Sequence, residues 1–205
     1  EMTMGDWSSD VCSSDLGGSL TAIKNGKSYD TSMGFTPLAG IVMGSRCGDI
    51  DPTVVGFLME NEKLNEAEID LILNKKSGLL GISGVSSDAR DVFNAMNEGN
   101  ARAKLALDIF INKIKQYIGN YIVQLENKID AIVFTAGIGE NSPYLRGEIC
   151  KGLENFGIEI DESKNSKIRG GQDCIISKEN SKVKIMVILT DEELMIARDT
   201  LRLIK

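Results

Sequence analysis

Apolar and polar positions along this chain change their period several times, and each change marks an element. Residues 19–24 alternate as a strand does, Asn25-Gly26 is a strong tight-turn signal, and residues 27–29 can return as a second strand. Residues 31–48 keep no period. They hold Gly34, Gly40, Gly44, Gly48 and Pro37, yet enough Met, Phe, Leu, Ile and Val to predict an ordered loop, and loops of this length inside compact domains are usually functional or disordered. Helical signals follow. Asp51-Pro52 starts one helix, and a capping-box-like Asn65 to Glu68 starts a second, which Ser77-Gly78 ends. Residues 79–85 are apolar and broken by glycine. A third helix is predicted from Ser87-Asp88 to Met96. The longest runs from about Ala101 to Leu125, with Leu105, Ile109, Ile111, Ile114, Ile118 and Ile122 as its apolar positions.

The second half opens on a β-branched run, Ile132 to Thr135, that reads as a short buried strand. Gly137 and Gly139 predict a tight turn after it, with Ser142 as N-cap and Pro143 at the first position of a helix reaching about Phe156 and stopped by Gly157. Residues 164–173 are polar and predict a surface loop, while 174–177 and 183–189 read as strands. Thr190 and Glu193 have capping-box spacing before a final helix to about Leu203. Hairpin, helices, strand, helix, strands, helix is an α/β layered order, and ligands in open α/β sheets collect at strand ends.

The first sixteen residues behave differently. They are Ser/Asp-rich, lack amphipathic period and hold the only Trp. They resemble translated sequencing adapter, so 1–16 is expected to be a non-native or disordered leader and 17–205 the folded domain. The chain of 205 residues is 42% hydrophobic, enough for a core, and its net charge of −7 with scattered basic residues argues against nucleic-acid and anionic-membrane surfaces. Neither a membrane-length apolar run nor a secretory signal is visible. Cys12, Cys47, Cys150 and Cys174 form no CxxC pair, which favours reduced thiols in a cytoplasmic setting. There is no histidine, which excludes His-based triads and His–metal sites within this polypeptide.

Four places could carry chemistry, and each has an ordinary alternative. The 132–143 strand, glycine turn and helix start could hold a phosphate or nucleotide or be a plain strand-to-helix turn; it is neither a P-loop nor a dinucleotide fingerprint. Arg46, in the glycine-rich loop, could bridge phosphate oxygens or pair at the surface with Asp49 or Asp51. Asp88 could cap a helix with Arg90 solvated, or both could meet a nucleotide. Glu192, one residue before the capping position, could take Mg²⁺ or simply favour the helix dipole.

Together the segments DTSMGFTPL (30–38), MGSRCGDIDP (43–52), NKKSGLLG (74–81), FTAGIGEN (134–141) and TDEE (190–193) resemble the acetate kinase family, in that family's order, from about Gly17 to Lys205. Propionate and butyrate kinases share part of the pattern. The resemblance implies the sugar kinase/Hsp70/actin-like ATPase fold, closing over a nucleotide, usually as a homodimer in the cytoplasm. It implies Mg²⁺-dependent transfer of the ATP γ-phosphoryl to acetate, giving acetyl phosphate and ADP. By the same resemblance Arg46 is the transition-state arginine. Gly17 belongs to the phosphate loop, and Asp88, Ala89 and Arg90 contact ATP. Gly137, Ile138, Gly139, Glu140 and Asn141 form the adenosine-binding turn, and Glu192 is a magnesium ligand.

Two departures stand out. The family's His-Leu-Gly-Asn-Gly phosphate segment should end near Gly17, the one position that matches. The family's N-terminal domain, which supplies a catalytic aspartate, a transition-state histidine, an acetate-binding arginine and a magnesium-ligating asparagine, is expected to be missing, with the final helix from about 191 left to expose the apolar face that would pack on it. The chain alone is therefore expected to be inactive; a non-catalytic nucleotide-binding module is the alternative, and Arg46 with its loop disfavours a sugar or glycerol kinase.

Overall fold

The structure, a computed structural model, describes residues 7–14 and 17–204, with 7–14 and Glu192 as backbone only. Its strands are β1 (Trp7–Ser14), β2 (Gly17–Lys24), β3 (Lys27–Thr31), β4 (Ala131–Thr135), β5 (Cys174–Ile175) and β6 (Lys184–Val187). They lie in one sheet in the order β3-β2-β1-β4-β6-β5. β1, β4 and β6 run parallel, while β2, β3 and β5 pair antiparallel to their neighbours. The Asn25-Gly26 turn forms as predicted, both residues at positive φ (55° and 68°), the geometry that matches strand twist in a two-residue hairpin.

Residues 7–14, set aside in the sequence as leader, form β1 between β2 and β4. Ladder bonds join backbone to backbone and require no alternation of side chains, so a stretch without period can still occupy a central position. Residues 1–6 and 15–16 of that leader lie outside the described residues.

The helices are α1 (Thr53–Asn61), α2 (Glu66–Lys75), α3 (Gly78–Ser83), α4 (Ala89–Asn97), α5 (Ala101–Gln124), α6 (Ala136–Asn141), α7 (Pro143–Cys150), α8 (Glu162–Asn165) and α9 (Glu192–Leu203). α5 is the beam of the core. Its buried stripe, including Ala103, Leu107, Phe110, Ile114, Ile118 and Tyr121, joins Leu20 of β2, Phe134 of β4 and Ile185 of β6 in one cluster. Leu105 and Ile109 lie outside it, 51% and 36% exposed; two residues from Leu107 on a helix is about 200°, the far side. Among the described residues no helix is long and apolar enough to cross a membrane.

Several boundaries differ from expectation for identifiable reasons. The glycine-broken segment after Ser77 is helical, α3, because Leu79 and Leu80 donate their amides to the carbonyls of Met43 and Gly44 (2.9 Å each), which gives a poor helix former fixed tertiary partners. The glycine turn after β4 is instead the short helix α6, and the left-handed residue is Ala136 (φ 57°), not a glycine. The helix from Pro143 ends at Cys150, where Gly152 adopts φ 84°, and a 3-10 turn covers Glu154–Phe156. The loop expected at the surface includes the end of α8 and buries Asn165 and Ile168. At α9 the N-cap is Asp191, whose Oδ1 accepts from the Leu194 amide at 2.9 Å, so Thr190 is free of the capping role the sequence assigned to it.

Candidate functional site

The C-terminal ends of the parallel strands meet along one edge of the sheet. Ser14 of β1 pairs with Gly17, Cys12 with Thr135, and Phe134 with Val187. The start of β2, the α6 helix after β4 and the 188–192 segment after β6 therefore come together, although they lie far apart in sequence.

Arg46 arrives at this edge from the 31–52 loop. Its guanidinium lies so near the start of β2 that a Cβ on Gly17 would be 2.8 Å from Nη1. Nη1 donates to the Pro37 carbonyl at 3.3 Å and contacts Met43 Sδ at 3.8 Å. The surface pairing with Asp49 or Asp51 does not form: Asp49 is bonded to Tyr117 and Lys113, and Asp51 to Thr53. Arg46 is half-buried with no carboxylate partner among the described residues. Its backbone is held closely. Met43 donates to the Arg46 carbonyl, Cys47 to Leu73, and Ser77 to Ser45. Gly78, at φ 64°, faces the carbonyls of Met43, Gly44 and Arg46 with no room for a Cβ, and a side chain there would also be strained in the left-handed region.

The same loop touches the approach to α4, since a Cβ on Gly44 would lie 2.6 Å from the Ser87 carbonyl oxygen. Asp88 is the N-cap of α4 and accepts from the Arg90 amide at 2.8 Å. The Arg90 guanidinium grips the same carboxylate at 2.5 to 3.1 Å. Those side-chain bonds from Arg90, with its charge, hold Asp88 below the ordinary carboxylate range. Ala89 is buried. The local reading of this triplet, a capped helix start, is thus formed in the structure. α4 also meets the helix that follows α6, the Phe93 ring lying 4.7 Å from that of Tyr144 at the start of α7.

α6 carries Gly137, Ile138, Gly139, Glu140 and Asn141. Asn141 donates to the Gly137 carbonyl at 2.9 Å, and Ser142 Oγ accepts from the Leu145 amide, capping α7 as predicted. Glu140 Oε1 accepts from both the Thr190 amide (2.9 Å) and the Thr190 hydroxyl (2.8 Å). Glu192 opens α9 two residues later, directly after the Asp191 cap; its side chain lies outside the described residues.

A residue the sequence reading missed holds α6 in place. Arg146 is fully buried. Its Nη1 donates to the carbonyls of Gly139 (2.7 Å) and Glu140 (2.9 Å), Nη2 to those of Ile168 (2.7 Å) and Asn165 (3.2 Å), and Nε to Asn165 Oδ1 (2.9 Å). Burial, with the nearby charge of Arg169, pushes its pKa down to about 10, still well above neutrality. A cation set against carbonyls at the C-terminal end of α6 is favourably placed in the helix dipole. A signal existed: Leu145, Ile149 and Cys150 define the buried face of α7, and Arg146 falls on that face.

Among the described residues no group of three or more Asp, Glu, Cys or His side chains gathers as a metal cage. A loop arginine and a short helix gathered at the ends of parallel strands are the arrangement at which open α/β sheets collect ligands. The acetokinase family model matches residues 6–198, and the chain belongs to that family. It is 56% identical to an acetate kinase of Treponema denticola over 195 residues, covering 95% of this chain and 48% of the relative. It is 60% identical to one of Clostridium botulinum over 190 residues, covering 93% and 47%. Among solved structures it is similar to the acetate kinase of Porphyromonas gingivalis (TM-score 0.92, 45% identity, 98% of this chain and 49% of that one). It is also similar to a propionate kinase of Francisella tularensis (TM-score 0.85, 44% identity, 92% and 47%). The fold is therefore of the actin-like ATPase type, and the chain spans about half the length of the relatives it matches.

Proposed function

We propose that this chain is the nucleotide-holding part of an acetate kinase, a phosphotransferase that moves the γ-phosphoryl of ATP to acetate and yields acetyl phosphate and ADP. The observation that carries this reading is Arg46, a half-buried guanidinium at the strand-end edge whose polar contacts among the described residues are one carbonyl and one sulfur. A cation without a carboxylate partner keeps its charge available to a phosphate. Phosphoryl transfer needs positioning and charge neutralisation more than covalent chemistry. Arg46 would share the charge of the moving group, beside the backbone at Gly17. Asp88, Ala89 and Arg90 would meet the nucleotide from the start of α4. Residues 137–141 would wall the adenosine. Magnesium, when bound with the nucleotide, supplies further charge neutralisation, with Glu192 as the protein carboxylate nearest in role.

The whole enzyme is proposed to act as a cytoplasmic homodimer; free Cys47, Cys150 and Cys174 agree with a reducing compartment. The 205-residue chain by itself is proposed to hold Mg-ATP weakly and to transfer nothing, since one side of a cleft does not position an acceptor. Calorimetry with Mg-ATP and a hydroxamate assay for acetyl phosphate test this on the same preparation. Binding at millimolar nucleotide without turnover is expected. Turnover by this chain contradicts the claim that more of the enzyme is needed, and absence of heat at millimolar nucleotide removes the nucleotide site. Acceptor preference among acetate, propionate and butyrate is read by joining this chain to the complementary part of an acetate kinase relative and comparing rates.

A further inference from the structure

We infer that Glu140 is a positioning residue, whose carboxylate latches the start of α9 onto α6 and affects the nucleotide only through that latch. The inference rests on the nucleotide reading above, and it reassigns one residue of the adenosine wall. Three observations carry it. One carboxylate oxygen, Oε1, receives both the backbone amide and the hydroxyl of Thr190 at 2.9 and 2.8 Å, a two-donor arrangement on an ionised acceptor that is stronger and more directional than a single neutral bond. Thr190 is available for it because the capping of α9 has passed to Asp191. The end of α6 from which Glu140 reaches is itself fixed, since the Glu140 carbonyl accepts from Arg146 Nη1 at 2.9 Å and from the Gly170 amide at 3.1 Å. The carboxylate is thus presented from a backbone that buried contacts hold on one side, toward a junction whose own helix is exposed along its apolar residues Leu194, Met195, Ile196 and Leu201. With so little of α9 buried, the bond to Thr190 is a principal restraint on where its first turn sits. That turn carries Glu192.

The consequence is a coupling. Anything that orders residues 137–141 also orders the start of α9, and loosening Thr190 loosens the wall. A direct ligand role for Glu140 predicts something different, because Thr190 would then be a bystander.

Hydrogen exchange of the amides from Thr190 to Met195, read by mass spectrometry, and Mg-ATP affinity by calorimetry separate the two on the 205-residue chain. The variants are Glu140→Ala, Thr190→Val, the double variant and Glu140→Gln, which keeps an acceptor oxygen. Expected results are exchange about tenfold faster in Glu140→Ala, which loses both bonds, a smaller increase in Thr190→Val, which keeps the amide bond, the double variant no faster than Glu140→Ala, and Glu140→Gln close to the parent. Nucleotide affinity should fall in Glu140→Ala and by a smaller factor in Thr190→Val, with the double variant no weaker than Glu140→Ala. Unchanged exchange in Glu140→Ala overturns the latch. A loss of affinity in Glu140→Ala that Thr190→Val does not share overturns the positioning role in favour of direct contact. If the parent chain binds no Mg-ATP, the nucleotide reading fails, while the exchange data still decide whether the latch exists.

Discussion

The Tyr117 hydroxyl donates to Asp49 Oδ2 at 2.7 Å and so pins the glycine-rich loop to the middle of α5, 68 residues away in sequence. Asp49 also accepts from the Gly40 amide at 2.7 Å and lies 3.4 Å from Lys113 Nζ. Partial burial acts to raise its pKa, but the bonds from Tyr117 and Gly40 and the charge of Lys113 outweigh it and hold the carboxyl below the ordinary value. A depressed carboxylate contributes stability above its unfolded pKa and loses it as pH falls through the folded value. Tyr117→Phe should therefore cost about 1 kcal/mol at neutral pH, and the difference from the parent should shrink below about pH 4 as Asp49 protonates. Urea midpoints at pH 7 and pH 3.5 check this; a difference that grows on acidification contradicts it.

Arg146→Met leaves the carbonyls of Gly139, Glu140, Asn165 and Ile168 without their buried donor. The expected loss is about 3 kcal/mol or more, measured by urea unfolding. Arg146→Lys should recover only part of it, because one ammonium cannot span the two segments that the planar fork joins. Full recovery by lysine would show that charge, not geometry, is what the site needs.

Gly78→Ala should be among the most disruptive single-methyl changes in the chain. The left-handed backbone alone costs an alanine about 1–2 kcal/mol, and the added Cβ meets three carbonyls of the Arg46 loop. Thermal unfolding should show a clear fall in midpoint, whereas Gly56→Ala, in α1 with open space around it, should be neutral or stabilising by up to about 1 kcal/mol.

Arg46→Ala should separate activity from stability. Its side-chain bonds are long, so unfolding should move by less than about 1 kcal/mol. In a protein completed with the remaining part of a relative, acetyl phosphate formation should fall by about a thousandfold, as for other charge-stabilising arginines of phosphoryl transfer. A change of a few-fold would leave Arg46 an ordinary loop residue.

On α9, Ile196 is 67% and Leu203 82% exposed. Changing both to lysine should leave the urea midpoint within about 0.5 kcal/mol and reduce light scattering on concentration, because exposed apolar patches drive association. A large loss of stability would mean that this face is buried within the chain in solution.

What could be read along the chain was local. The Asn25-Gly26 turn, the Asn65 to Glu68 capping box, with its two bonds of 2.8 and 3.1 Å, and the long period of α5 each depend on residues within a few positions of one another. The site motifs were legible as strings of residue types, and the family followed from them. Their mutual placement was not, because Gly17, residues 136–141 and residues 190–192 are brought to one edge by the pairing of β1 with β2, β4 and β6 across the sheet and by the Glu140–Thr190 bonds.

The sequence by itself determined the α/β class, most helix starts and the residue types offered at each strand end, since turns, caps and hydrophobic period are short-range preferences of the backbone. Tertiary structure alone decided that residues 7–14 form a central strand, that a glycine-broken run becomes α3, that Arg146 is buried, and that Thr190 turns from capping α9 to Glu140. In each case a group with a weak local preference took the partner that folding brought to it from far along the chain; for buried Leu79 of α3 and buried Arg146 the cost of leaving a polar group unpaired made that partner prevail.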